Sequence, residues 1–178
     1  MRGLPIGTGD NVLALLSGDI DPPVAVFLLA KRGCSVDLFH ITASHMQEAD
    51  LKNSVIGKLA SQLSQYTQRS CLYVVPNTYF DLALGKRNSG YDVVLFRCFM
   101  IRFAERLADR IHAQALVDGD SLGQVASQTL ENIVSSSKAV SIPILKPLIG
   151  SNKQEIIAIM RSMAPIVFLL NPIKTVVH

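Results

Sequence analysis

The chain has 178 residues, of which 49% are hydrophobic and 17% are charged, and its formal net charge is +3. This length fits one domain with a continuous core, the apolar fraction excludes a disordered chain, and the mildly basic charge permits contact with a nucleotide or RNA without demanding it. The longest apolar runs, at residues 24–30 and 166–170, are far shorter than the roughly 18–20 residues that span a bilayer, so no membrane segment is expected.

The first half of the chain alternates short apolar strands with helices. In chain order it predicts a strand at residues 12–16, a helix at 22–31, a strand at 36–41, a long helix at 47–68, a strand at 71–75 and a short extended segment at 92–96. Prolines in the first turn of the helix at 22–31 favour this assignment, because a missing N–H costs little there.

The second half continues the alternation. It predicts a helix at 99–113, a strand at 115–117, a helix at 121–135, a strand at 142–145 and a helix that ends near Met163. Ser151 at the cap and Gln154 three residues later indicate where this last helix begins. The strands are apolar throughout, which indicates a parallel sheet covered on both faces, with any ligand outside the carboxyl ends of the strands.

Two turns carry residue types suited to a ligand. The turn SGDIDP at residues 17–22 precedes a helix, so its N–H groups and the helix N-terminus can form an anion site, although a plain tight turn explains the same residues. The segment GDSLGQVASQTLEN at 119–132 opens a helix and contains polar residues that periodicity does not predict. These side chains can contact a ligand or face water: Gln124, Ser127, Gln128 and Asn132.

These two segments, together with IPILKPLIG at 142–150 and KQEII at 153–157, resemble the nucleotide-binding domain of the tRNA 4-thiouridine synthetase (thiamine-biosynthesis sulfurtransferase) family over residues 12–162. The resemblance implies one pyrophosphatase-loop domain over 1–178, with the α/β fold of the adenine-nucleotide alpha-hydrolase-like (Rossmann-like) class. That fold is a three-layer sandwich with a parallel five-stranded sheet. The implied activity is ATP-dependent adenylation of uridine O4 in tRNA, after which sulfur from a protein persulfide displaces AMP. A link to thiamine thiazole sulfur supply is also implied.

The resemblance also implies roles for particular residues. Adenosine would be held by Leu15, Leu16, His40 and Ile41, and further ATP contacts would come from Arg97, Gly119 and Gln128. The pyrophosphate loop is matched by Ser17, Gly18 and Asp21. Arg97 would offset charge on the α-phosphate, and Asp21 would act as a catalytic residue through Mg²⁺.

The loop departs from the family's Ser-Gly-Gly-x-Asp-Ser pattern in two places. Asp19 replaces a glycine and adds a negative charge beside a polyanion, which opposes binding by about 1–4 kcal/mol at 4 Å. Pro22 replaces a serine and removes a hydroxyl and an N–H donor. Both changes weaken phosphate binding, unless Asp19 and Asp21 share a cation.

The cysteines give a second departure. The three cysteines form no CxxC pair, which excludes a disulfide framework and a four-cysteine zinc site and indicates a cytoplasmic protein. The family's sulfur-handling cysteine near the C-terminus has no counterpart in residues 164–178. Cys98, beside Arg97, could carry the persulfide as a catalytic residue or ligate a metal cluster, or it could be an inert buried thiol.

Partners and function are left with alternatives. The family's RNA-binding and rhodanese regions have no counterpart here, so tRNA contact must come from this domain's own surface or from a separate RNA-binding chain, and the separate chain is expected. A sulfur-donor protein is the second expected partner, and a homo-oligomer is also allowed. One hypothesis is an ATP-dependent tRNA-thiolation enzyme. A second is a catalytically degenerate nucleotide-binding or scaffold subunit, and a third is adenylation of a small-molecule or protein carboxylate.

Overall fold

The computed structural model describes residues 9–42, 48–67, 70–84, 92–123, 129–163 and 174–177. Across these ranges, no helix is both long enough and apolar enough to cross a membrane. The strands form one sheet in which every pairing is parallel, in the order β5-β4-β1-β2-β3-β6. Their bounds are β1 Asn11–Leu15, β2 Ser35–Thr42, β3 Cys71–Pro76, β4 Ala115–Val117, β5 Ile144–Leu145 and β6 Lys174–Val177.

Helices cover both faces of this sheet. Their bounds are α1 Asp21–Ala30, α2 Glu48–Asn53, α3 Val55–Leu63, α4 Thr78–Leu84, α5 Asp92–Ile111, α6 Leu130–Ser137 and α7 Lys153–Ser162. The chain runs from β1 to β2 on one side, whereas β4 pairs on the other side of β1. The strand order therefore reverses between β1 and β4, and at such a point a crevice opens at the carboxyl ends of the strands.

Alternate residues of β1 face two separate cores, as a strand with both faces buried requires. Val12 and Ala14 pack into the core that contains α1 and α7 residues. Leu13 and Leu15 pack into the other core, with Ile101 of α5 among their neighbours. This confirms the predicted three-layer α/β fold with a parallel sheet. The sheet carries one strand beyond the predicted five, because β6 pairs with β3 at its edge.

One predicted element is wrong in type. Residues 92–96 form the first turns of α5, not an extended segment. Two consecutive valines there favour a strand locally, but the tertiary contacts favour a helix. The Phe96 ring packs edge-on against Phe80 at 5.1 Å, and Phe80 lies on α4, a helix that the sequence pattern does not predict.

Other predicted helices have different boundaries. The predicted helix at 47–68 is divided at Ser54, whose hydroxyl accepts the N–H of Gly57 and caps α3. Of the predicted helix at 121–135, residues 121–123 are not helical, residues 124–128 lie outside the described ranges, and α6 begins at Leu130 with Thr129 as its cap. Gly123 has φ +73°, which no α-helix continues. The cap of α7 is Asn152, which exchanges hydrogen bonds with Glu155, one residue later than the predicted Ser151–Gln154 pair.

Candidate nucleotide-binding site

The predicted adenosine residues lie where β1 and β2 end. Leu15 and Leu16 are buried, and the Leu16 N–H donates to the Phe39 carbonyl at 2.8 Å. The Nδ1 atom of His40 lies 2.9 Å from the Leu16 carbonyl oxygen, so Nδ1 carries the proton that it donates there. Burial lowers the pKa of His40, although this hydrogen bond opposes the shift. The wall formed by these strand ends is therefore neutral near pH 7.

The predicted pyrophosphate loop is held by contacts within itself. The Ser17 hydroxyl donates to a carboxylate oxygen of Asp19 at 3.3 Å and accepts the Asp19 backbone N–H, also at 3.3 Å. Gly18 and Asp19 are exposed, so the carboxylate that replaces the family's glycine faces solvent. Ile20 precedes α1 without a side-chain cap, and prolines occupy the first turn of this helix. Proline has no N–H, so this helix start offers fewer donors to a phosphate than is usual.

Gly119 brings the segment after β4 against this loop. A Cβ atom added to Gly119 would lie 2.7 Å from the Pro22 nitrogen and 2.9 Å from the Pro22 Cα. Two backbones that approach this closely leave no room for a side chain, so only glycine fits here. Beside this contact, the hydroxyl of Ser121 is fully buried and has no hydrogen-bond partner within the described ranges.

Asp21, the predicted magnesium ligand, is mostly buried at the first position of α1. Its Oδ1 atom lies 3.3 Å from Nζ of Lys153, the first residue of α7, and the Lys153 side chain is 53% exposed. A partly exposed ammonium group thus lies beside the loop and reaches it from the other end of the sequence. Sequence reasoning did not assign a role to this lysine.

A buried group of four charged side chains lies at the ends of β4 and β5. We call it the strand-end ion cluster, and its members are Arg97, Asp118, Asp120 and Lys146. The Arg97 guanidinium binds Asp118 at 2.5 Å and also binds Asp120. Nζ of Lys146 lies 2.9 Å from Asp118 and 2.7 Å from Asp120. These side chains are between 3% and 17% exposed, so each charge is stabilised mainly by its partners in the cluster and only slightly by water.

The pKa values of the two carboxyl groups in this cluster are shifted in opposite directions. Burial raises the pKa of Asp118, and this effect exceeds the opposing attraction of Arg97 and Lys146. For Asp120 burial acts in the same direction, but the hydrogen bond from Lys146 and the charge of Arg97 lower its pKa overall. Asp120 therefore keeps its negative charge to lower pH than Asp118 does, and both cations contact it.

The structure gives less evidence about ligand contact for the remaining predicted residues. Ile41 is half-buried against the core that contains α5. Gln128 lies outside the described residues. Cys98 follows Arg97 on α5 as a half-buried free thiol. No three metal-binding side chains come together within the described residues, so a metal cluster at Cys98 gains no support there.

Sequence reasoning missed four charged residues at this edge of the sheet. Asp118 and Lys146 each directly follow a predicted strand, a position that the parallel-sheet rule already marks as the ligand edge. The signal was thus available, but local pattern alone did not separate these residues from ordinary surface charges. The full set is Asp118, Asp120, Lys146 and Lys153.

A cavity of about 370 Å³ lies on the α3 and α7 side of the pyrophosphate loop. Apolar side chains form most of its lining, among them Val55, Leu59 and Met160, and none of the predicted adenosine residues contributes to it. Gly18 and Asp19 of the loop also line the cavity, so it adjoins the place predicted for the phosphates, but its walls offer a polyphosphate chain no cation.

Comparison with known proteins identifies relatives of the chain. Residues 7–168 match the family model of ThiI, a thiamine biosynthesis protein. A solved 4-thiouridine synthetase in complex with RNA and bound ATP is 33% identical and superimposes with a TM-score of 0.81 over 90% of this chain. The chain spans 42% of the length of that synthetase.

More distant structures share the fold. A predicted subunit of tRNA methyltransferase from Methanocaldococcus jannaschii is 18% identical, with a TM-score of 0.59 over 86% of this chain and 76% of its own length. NMN synthetase from Francisella tularensis is 14% identical, with a TM-score of 0.60 over 88% of this chain and 62% of its own length. These two likenesses concern architecture and support the adenine-nucleotide alpha-hydrolase-like fold.

Proposed function

Because the chain belongs to the ThiI family, we propose that it binds ATP and uses it to adenylate O4 of a uridine in tRNA for sulfur transfer. The observation that carries this proposal is the 33% identity and close superposition with a 4-thiouridine synthetase solved with RNA and ATP. The chain's own geometry supports it, since the segments that carry the resemblance meet at the reversal of strand order between β1 and β4.

The adenosine would lie at the ends of β1 and β2. Leu15 and Leu16 offer apolar contacts to the base, and neutral His40 fixes the backbone of Leu16 through its Nδ1 hydrogen bond. Ile41 continues the same edge of β2. A neutral, preformed wall suits an uncharged purine, because little polar surface loses its water on binding.

The phosphates would lie over the loop and the start of α1. Ser17 and Gly18 expose polar groups there, and Lys153 brings a positive charge within 3.3 Å of Asp21. Arg97 is already bound by two carboxylates, so its proposed contact with the α-phosphate would require the guanidinium to give up part of that pairing.

Mg²⁺ is part of this proposal. Magnesium is commonly held by one or two carboxylates together with substrate phosphates, and Asp19 and Asp21 supply carboxylates at the loop. Within the described residues no larger group of metal-binding side chains exists, so phosphate oxygens would have to complete the coordination. Lys153 competes for Asp21, yet the residues present fit an ion that a nucleotide carries in. The bound ion would offset phosphate charge.

The chemistry balances in three steps. Uridine O4 attacks the α-phosphorus, the bond to the bridging oxygen breaks, pyrophosphate leaves, and N3 of the uridine loses its proton. The terminal sulfur of a persulfide on a separate donor protein then attacks C4, AMP leaves with O4, and the donor cysteine is joined to C4 through a disulfide. A second thiol of the donor attacks the cysteine sulfur of that disulfide, so that 4-thiouridine leaves and the two donor cysteines become a disulfide. Supply of the same sulfur to thiamine thiazole synthesis and a cytoplasmic location, consistent with three free cysteines, belong to the same proposal.

Isothermal titration calorimetry tests the first requirement of this function. We expect ATP to bind in the presence of Mg²⁺ and UTP to bind at least about ten-fold more weakly, because the strand-end wall selects the base. Titration of tRNA into the ATP-loaded protein tests whether this chain alone contacts RNA. Failure of ATP to bind with Mg²⁺ present would remove the proposed function.

A non-catalytic nucleotide-binding subunit is the second candidate, and the loop favours it. Asp19 places a carboxylate where phosphates would approach, and the prolines of α1 remove N–H donors from the same place. This candidate predicts ATP binding with no pyrophosphate released upon addition of tRNA. Turnover with tRNA and a sulfide donor would eliminate it.

A further inference from the structure

The strand-end ion cluster joins three parts of the chain that are distant in sequence. Arg97 comes from α5, the two carboxylates flank Gly119 after β4, and Lys146 follows β5. A backbone hydrogen bond joins the same two strand ends, from the Asp118 N–H to the Leu145 carbonyl at 2.9 Å. Because Gly119 lies between the two carboxylates in sequence, the position of its backbone depends on how both carboxylates are held.

The charges in the cluster are balanced. Two carboxylates face two cations, and all four side chains are at most 17% exposed. Loss of Lys146 would leave two buried carboxylates sharing Arg97 alone, and a buried charge without its partner is strongly unfavourable. One carboxylate would then take up a proton or turn toward water, and in the second case the turn around Gly119 would move.

Movement of that turn would reach the loop directly. The backbone of Gly119 leaves no space for a Cβ atom against Pro22, so any displacement pushes on the start of α1 or opens a gap beside it. Lys146 touches neither the loop nor the predicted adenosine residues in any contact of the described structure. Its influence on a nucleotide would therefore pass through the two carboxylates.

We propose that Lys146 is a positioning residue for the nucleotide: by neutralising Asp118 and Asp120 together with Arg97, it holds Gly119 against the start of α1. This inference rests on the proposed function for the identity of the ligand, but the positioning itself is a property of the protein without nucleotide. Arginine should replace Lys146 well, because it also supplies a fixed positive charge and several donors.

The test compares four variants by amide hydrogen exchange of residues 119–122 without nucleotide, and by ATP titration with Mg²⁺. For Lys146→Met we expect exchange at least about ten-fold faster and ATP affinity at least about ten-fold weaker. Lys146→Arg should stay within about three-fold of the natural protein in both readouts. The double variant Lys146→Met with Asp118→Asn restores charge balance and should recover most of both losses. Lys58→Met, which removes an exposed lysine of α3, is the matched control.

Each outcome decides the matter. Unchanged exchange in Lys146→Met would overturn the proposal, as would equal losses in the Met and Arg variants, since these would indicate packing and not charge. Where Lys146→Met does not fold, the charge-balanced double variant decides: slow exchange supports the proposal and fast exchange refutes it. If the natural protein binds no ATP, the proposed function fails while hydrogen exchange still tests the positioning.

Discussion

Gly119 and Pro22 are packed backbone against backbone, so that a Cβ atom on Gly119 would lie 2.7 Å from the Pro22 nitrogen. The contact joins the turn after β4 to the first turn of α1. It brings together two segments that are about a hundred residues apart in the sequence, and both line the edge where parallel sheets of this kind bind ligands. The close approach is therefore the geometric centre of the candidate site.

Gly119→Ala should disrupt this contact. The new methyl group would force the backbones apart, which we expect to cost about 1–3 kcal/mol in free energy of unfolding and to weaken ATP binding about ten-fold or more. Chemical denaturation and calorimetry measure the two effects. Gly150→Ala is the control, because a Cβ atom there meets nothing within 4 Å; equal effects of the two substitutions would contradict the account.

Asp19→Gly should strengthen ATP binding. The exposed carboxylate lies in the loop that would face the phosphates, and its removal relieves a repulsion of about 1 kcal/mol in a well-hydrated setting, equivalent to about five-fold in affinity. The gain should shrink as salt concentration rises. Asp19→Asn removes the same charge but keeps a side chain, so its comparison with Asp19→Gly separates the effect of the charge from the effect of glycine's backbone freedom. A loss of affinity that occurs only with Mg²⁺ present would instead assign Asp19 to the cation.

Lys153→Met should affect ligand binding more than stability. The pair with Asp21 is partly exposed, with the lysine side chain 53% accessible, so its loss should change the free energy of unfolding by less than about 1 kcal/mol. Removal of a cation beside the phosphates should weaken ATP binding about ten-fold. Binding of adenosine, which has no phosphate, serves as the internal control and should not change. Similar losses for both ligands would argue against a phosphate contact.

His40 should make the protein less stable in mild acid. Burial lowers the pKa of His40 below its usual value of 6.5, so the unfolded chain binds the proton more readily than the folded one. Its contribution to stability is present above pH 6.5 and is lost as the pH falls toward the lowered folded pKa. Urea unfolding between pH 5 and 7 should therefore show a shallower decline for His40→Gln. His112→Asn, which removes an exposed histidine, measures the effect of histidine replacement itself.

The layered fold was predictable because the strands are continuous apolar runs. Leu13 and Leu38 are fully buried in strands where the pattern predicted them. The helix between these strands was predictable from the prolines that begin it and the glycine that follows it. The start of α5 was not predictable, since the valines at its beginning favour a strand and only the contact between Phe96 and Phe80 decides for a helix. Local propensity is overridden there by tertiary packing.

The site was predictable as a place but not as a set of contacts. The motif segments indicated Gly119 and the loop, whereas the strand-end ion cluster depends on the pairing of Val117 with Leu145 across two short strands. Asp120 and Lys146 lie 26 positions apart, and no spacing rule connects residues at that distance. Only the three-dimensional register places their charges together.

The most direct test of the proposed function follows AMP and pyrophosphate when the protein is incubated with ATP, Mg²⁺, tRNA and sulfide. We predict that pyrophosphate and AMP are released in equal amounts, that both depend on tRNA, and that 4-thiouridine accumulates in step with them. Bound ATP that stays intact whether or not tRNA is present would contradict an enzymatic role and leave a nucleotide-binding subunit in its place.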